Sequence, residues 1–142
     1  MHELAQERLI IAIRAAACIE TLLDETIAYT RDRKVFGATV FDQQNTRFKL
    51  AQAKAEAVML RVFVDDCLEL LLRKQLTAER AAMAKLLGSE LQNRLLDEFL
   101  QLHGGYGFMT EYKIARAWVD ARIARIYGGT SEIMREIIAR TL

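Results

Sequence analysis

Gln101-Leu102-His103-Gly104-Gly105-Tyr106-Gly107-Phe108-Met109-Thr110-Glu111-Tyr112 is the stretch where a long helical pattern stops at three glycines. A helix that must end abruptly, turn and let another group approach its backbone needs residues without a Cβ, because these reach positive φ at little steric cost. By itself the stretch is equally well a helix C-cap followed by a turn. No strand precedes it, so it is not the glycine-rich turn of a dinucleotide-binding βαβ unit.

Outward from that stretch, everything reads as helix. The chain contains no proline, and Ala, Leu, Glu, Arg and Lys dominate, which favours long uninterrupted helices. From about Glu3 to Arg33, Leu4, Ile11, Ala15, Cys18, Leu22 and Tyr29 recur at heptad-like spacing, while Leu9, Ile13, Ala16 and Leu23 fill a neighbouring face; a helix apolar on two faces sits between partners. Basic residues and Gly37 close it. A loop through 38–41 leads to a second helix over about Asp42 to Lys74, with Phe48, Ala51, Ala55, Val58 and Val62 as its expected buried stripe. Thr77 is the expected N-cap of a third helix reaching about Leu102, striped by Ala84, Leu87, Leu91, Leu95 and Leu102. Tyr112 to about Arg125 and Thr130 to Leu142 supply the remainder, separated by Gly128-Gly129, with Thr130 or Ser131 capping the last helix. No segment alternates like a strand. The expected fold is all-α, an up-and-down four-helix bundle with an additional short C-terminal helix.

A length of 142 residues, 52% hydrophobic and 27% charged, suits one globular domain spanning 1–142. A formal charge of +1, with basic residues spread among carboxylates, argues against a nucleic-acid partner. Cys18 and Cys67 are isolated in apolar helical stretches and read as reduced core thiols; with no Cys/His ligand spacing, no metal is expected. No apolar run is long enough to span a bilayer and no signal peptide is evident. Because Met1-His2-Glu3-Leu4 already lies inside the periodic pattern, the start is expected to be a cut in a longer protein.

Three signatures fall in a fixed order: Arg33-Lys34-Val35-Phe36-Gly37, then Gln101 through Gly107, then Arg125-Ile126-Tyr127-Gly128-Gly129-Thr130-Ser131-Glu132-Ile133. Together they resemble the C-terminal helical domain of the flavin-dependent acyl-CoA dehydrogenases, closest to the long-chain type, from roughly Glu3 to the end. The resemblance implies a homo-oligomer, a dimer or tetramer, in which FAD lies between this domain, a middle β-domain and a neighbouring subunit. The family's N-terminal helical and middle β-domains are absent from these residues, so the isolated domain is expected to be inactive. The implied electron acceptor is an electron-transfer flavoprotein. A bacterial cytoplasm is expected in preference to the mitochondrial matrix.

The implied reaction removes an α-proton from an acyl-CoA thioester while a β-hydride passes to the flavin, leaving a trans-2-enoyl-CoA. In most of the family the base follows the tyrosine of a Tyr-x-Gly-Thr loop, where this chain has Gly128. Long-chain and isovaleryl-type members instead carry it on the first long helix, and Glu3-Leu4-Ala5-Gln6-Glu7-Arg8-Leu9 is similar to that segment; Glu7 is the expected base. A carboxylate on a rigid helix can be aimed, and exclusion of water by an acyl chain strengthens it as a base. Read from the residues alone, Glu7 is a solvated glutamate favoured by the helix N-terminus. Glu132 competes, but resembles a flavin-side, helix-start residue. Ala5, Gln6, Glu7, Arg8, Gly128 and Gly129 are the implied substrate-binding set.

By the same resemblance Arg33 meets the FAD pyrophosphate, for which its planar multi-donor fork is suited, with Phe36 and Gln44 nearby. Gln101, Leu102, His103, Gly104 and Gly105 approach the adenine side of a FAD bound to another subunit, and Thr130, Ser131 and Glu132 lie beside the flavin. Read as residues, His103 is a turn or packing histidine, the hydroxyls are caps, and Arg116, Arg122 and Arg125 serve pairing or solvent. Two further readings stay open: a non-catalytic helical oligomerisation module, and a domain of an acyl-CoA oxidase, which passes electrons to oxygen.

Overall fold

In the computed structural model, which describes residues 2–142 with side chains from residue 3, three long helices carry the chain up, down and up again: α1 (His2–Asp32), α2 (Gln44–Leu72) and α3 (Ala78–His103). A 3-10 segment, Gly104–Phe108, turns the chain into α4 (Lys113–Ala121); a second, Arg122–Arg125, leads to the diglycine bend and α5 (Ser131–Ala139). α3 is the central element, packed on each of the other helices, most extensively on α1. The expected caps form: Thr77 Oγ1 accepts from the Arg80 amide at 3.1 Å and Thr130 Oγ1 from the Ile133 amide at 3.4 Å, each satisfying a donor the helix leaves free.

Leu9, Ile19 and Leu23 of α1, Val64 of α2, and Leu95, Leu96 and Phe99 of α3 meet in one core, each at most 1% exposed. Every such side chain contributes about 1.5–3 kcal/mol on burial. α1 and α3 approach closely because small residues face each other: a Cβ added to Gly88 would lie 3.2 Å from the Ala12 Cα and 3.5 Å from the Ala15 Cβ.

The expected stripe of α2 is reversed. Phe48, Val58 and Val62 are 64%, 51% and 65% exposed, and Ala51 and Ala55 are exposed with them. The packed face is instead Thr46, Leu50, Ala53, Ala57, Leu60, Val64 and Cys67. Both sets recur at helical spacing, so periodicity cannot choose between them; the neighbouring helices do. Leu87 likewise faces out.

Where a loop was expected after α1, β1 (Lys34–Val35) and β2 (Ala38–Thr39) pair antiparallel, with Lys34 opposite Thr39. Phe36 (φ 52) and Gly37 (φ 83) make the two-residue turn, the hairpin type in which both central residues take positive φ. α1 therefore ends at Asp32, and Gly37 serves the hairpin rather than the helix. Both cysteines are free, Cys67 buried and Cys18 half-buried, and burial pushes each thiol above its ordinary range.

Candidate active site

The expected site residues form two clusters at opposite ends of α1. Glu7 and Arg33 are separated along that helix by roughly 40 Å at about 1.5 Å per residue, farther than an extended dinucleotide reaches.

At the C-terminal end of α1, Tyr29, Arg33, Gln101, Leu102, His103, Gly104, Gly105 and Tyr106 line a cavity of about 570 Å³ together with Val35, Val40 and Met109. The first two signatures thus share one wall. Gly104 takes φ +60, and neither Gly104 nor Gly105 has an atom within 4 Å of an added Cβ, so this backbone is open to a ligand. Gly107 serves packing instead, since its Cβ would fall 2.5 Å from the Leu100 carbonyl oxygen. Arg33 is exposed, its guanidinium 5.3 Å from the Tyr106 ring centroid. The His103 side chain packs, as its reading as a turn or packing histidine has it: 7% exposed, it donates from Nδ1 to the Phe99 carbonyl at 2.8 Å and stacks on Tyr29 at 4.2 Å. Its imidazole is committed to the fold, and its carbonyl accepts from Tyr29 Oη at 3.0 Å. Phe36, at the exposed hairpin tip, and Gln44, exposed in the first turn of α2, stand outside the cavity lining.

At the other end the diglycine bend lies on α1. Gly128 takes φ +67, and an added Cβ would meet Ile11 Cδ1 at 2.8 Å. Arg8, 7% exposed, donates from Nε to the Gly128 carbonyl at 3.2 Å. Glu7 is exposed and precedes Ile11 by four residues, so the two share a helix face. Ser131 is 2% exposed and its Oγ has no partner, an orphan hydroxyl at the start of α5. The Glu132 carboxyl is held below its ordinary range first by its own backbone amide and then by Thr130, which suits a helix-start anion. Ala5 and Gln6 are not brought to the bend; they line a separate cavity of about 440 Å³ with Leu71, Lys74 and Leu76.

Sequence reasoning missed Tyr29 and Tyr106 in the first cavity and Lys85 behind the bend, whose Nζ donates to the Gly129 carbonyl at 2.6 Å. A lysine among Ala81, Ala82, Ala84 and Gly88 on one helix was the available signal for the last. The basic face of Arg116, Arg122 and Arg125 is held partly by local partners: Arg116 donates to the Thr110 carbonyl and Arg125 lies 3.5 Å from Glu90. Among the described residues no helix is long and apolar enough to cross a membrane, and no cluster of three acidic, His or Cys side chains could hold a metal.

An exposed guanidinium beside open glycine backbone fits a phosphate-bearing ligand, and an orphan buried hydroxyl at a helix start fits a polar group laid against the other end. The fold is an all-helical domain that carries these two clusters at opposite ends of its first helix. Residues 1–142 match the family model described as acyl-CoA dehydrogenase, C-terminal domain. The chain is 51% identical over 142 residues to the long-chain specific acyl-CoA dehydrogenase, mitochondrial, of Rattus norvegicus, covering 100% of this chain and 33% of that protein. It is 33% identical over 142 residues to the caffeyl-CoA reductase-Etf complex subunit CarC of Acetobacterium woodii, covering 100% and 38%. The structure of acyl-CoA dehydrogenase from Geobacillus kaustophilus superimposes with a TM-score of 0.96 at 40% identity, covering 99% and 37% of the two chains. The chain belongs to the acyl-CoA dehydrogenase family, a family of FAD-using oxidoreductases, as its C-terminal helical domain. It spans about a third of the length of the relatives it matches.

Proposed function

We propose that this domain serves an acyl-CoA dehydrogenase that converts acyl-CoA to trans-2-enoyl-CoA, with Glu7 abstracting the α-proton. The observation that carries this reading is the seating of the diglycine bend on α1: Ile11, on the Glu7 face, fills the space below Gly128, and Arg8 holds the Gly128 carbonyl. Gly128 has no carboxylate of its own, and the carboxylate on the adjoining face takes that role. Bound FAD supplies the hydride acceptor. The chain's own residues would hold it: Arg33 would meet the pyrophosphate, Gln101 to Gly105 would present backbone to the adenine side, and Thr130, Ser131 and Glu132 would border the flavin. Because the two clusters are separated by the length of α1, they serve two different FAD molecules, and the complete site needs a second subunit.

The 51% identity to a long-chain enzyme makes a long-chain acyl-CoA the first substrate to assay. An electron-transfer flavoprotein is the proposed acceptor, supported by the name of the CarC relative; reoxidation by oxygen in its place identifies an oxidase. The relatives include mitochondrial and bacterial proteins, and the bacterial cytoplasm remains an expectation. In the flavin-loaded enzyme carrying this domain, Glu7→Gln is expected to slow turnover about 10²- to 10⁴-fold, the usual contribution of a positioned base. Turnover at the parental rate would remove Glu7 from the mechanism. The reading as an oligomerisation module draws support from the outward apolar face of α2. The isolated domain is expected to show no dehydrogenation.

A further inference from the structure

Lys85 lies in the first half of α3 with 0% of its surface exposed. A buried ammonium is costly unless its environment repays the lost hydration. Here Nζ donates to the Gly129 carbonyl at 2.6 Å, a short charge-assisted bond. The preceding carbonyl, that of Gly128, accepts from Arg8 Nε at 3.2 Å. Two successive carbonyls of a positive-φ bend, at φ +67 and +104, are therefore each held by a cation from a different helix. The other charges bearing on Lys85 are Arg125, Glu90 and Glu132, and burial followed by Arg8 pushes its ammonium below the ordinary lysine range. That arrangement spends solvation on one point of the backbone.

We infer that Lys85 is a positioning residue: with Arg8 it clamps the Gly128-Gly129 bend between α3 and α1, setting the bend's peptide planes against the Glu7 face. A trans peptide holds its N–H opposite its carbonyl. Tethering both carbonyls therefore turns the amides of Gly129 and Thr130 away from the two cations and fixes where α5 begins. Without the clamp, two adjacent glycines are among the freest backbone a chain can have, and small displacements of reacting groups lower rates steeply. Lys85 touches neither substrate nor cofactor in this scheme; its effect on turnover rests on the reading of Glu7 and the bend as the reacting region.

The test uses Lys85→Met, which keeps an unbranched stem as far as Cε and removes the donor, in the flavin-loaded enzyme carrying this domain. The expected result is a fall in kcat of at least tenfold with KM within twofold, together with faster amide hydrogen exchange over residues 127–131. A folded, flavin-loaded variant with parental kcat overturns the inference, whether or not exchange changes. If Lys85→Met does not accumulate as folded flavoprotein, Lys85→Gln, with a polar head too short for the same contact, replaces it under the same two outcomes. Parental turnover in Glu7→Gln would sink the base assignment alone; slower turnover and faster exchange in Lys85→Met would still support the clamp.

Discussion

Gly105 and Gly107 stand two residues apart and answer to different constraints. An added Cβ at Gly107 meets the Leu100 carbonyl oxygen at 2.5 Å, whereas at Gly105 it meets nothing within 4 Å. Gly107→Ala is therefore expected to destabilise the fold by about 1–3 kcal/mol, the range for overpacking against atoms that cannot move aside, measured by urea unfolding. Gly105→Ala is expected to leave the thermal midpoint unchanged and to lower flavin retention after gel filtration. Undiminished flavin content there would mean that no cofactor approaches this backbone. The glycine cluster was visible in the sequence, but the division of labour within it was not, because adjacent glycines look alike until the atoms around each are known.

Between helices, the pairing of Glu20 on α1 with Arg61 on α2 is two-pronged, at 2.9 and 2.6 Å. The hydrogen bond from Arg61 holds the Glu20 carboxyl below its ordinary range. A depressed carboxyl stabilises the fold above its unfolded value, and that contribution is lost as pH falls through the lower folded value. With side chains 30% and 39% exposed, solvent screening limits the coupling to about 0.2–1 kcal/mol. A double-mutant cycle with Glu20→Gln and Arg61→Met should recover it at neutral pH and find it gone once acid protonates Glu20. Element boundaries were legible from caps and composition: Thr77 and Thr130 are hydroxyl side chains immediately before helical periodicity, and both cap. The hairpin was not, because two-residue strands are too short to show alternation, and Phe36 is an unusual residue for positive φ.

Across the whole molecule, α2 presents Phe48, Val58, Met59 and Val62 to solvent, each more than half exposed in the single chain. A contiguous apolar face of this kind is the mark of an association surface, and a homo-oligomer is the family expectation. Replacing Phe48 and Val62 together by Glu is expected to lower the sedimenting mass while far-ultraviolet helicity stays parental. Unchanged mass would place the subunit contact elsewhere.

Helix content, helix order and the three ordered signatures were available from the chain alone, because proline-free periodicity, hydroxyl caps and glycine stops are local properties. Which face of α2 is buried was not, since two apolar faces at the same spacing can be told apart only by what packs on them. Nor could the sequence reveal that Arg33 and the Gln101–Gly105 segment line one cavity, or that Arg8 and Lys85 converge on neighbouring carbonyls. Those relations depend on which helices lie side by side, and contacts between residues 120 or 44 positions apart leave no periodic trace in the chain that makes them.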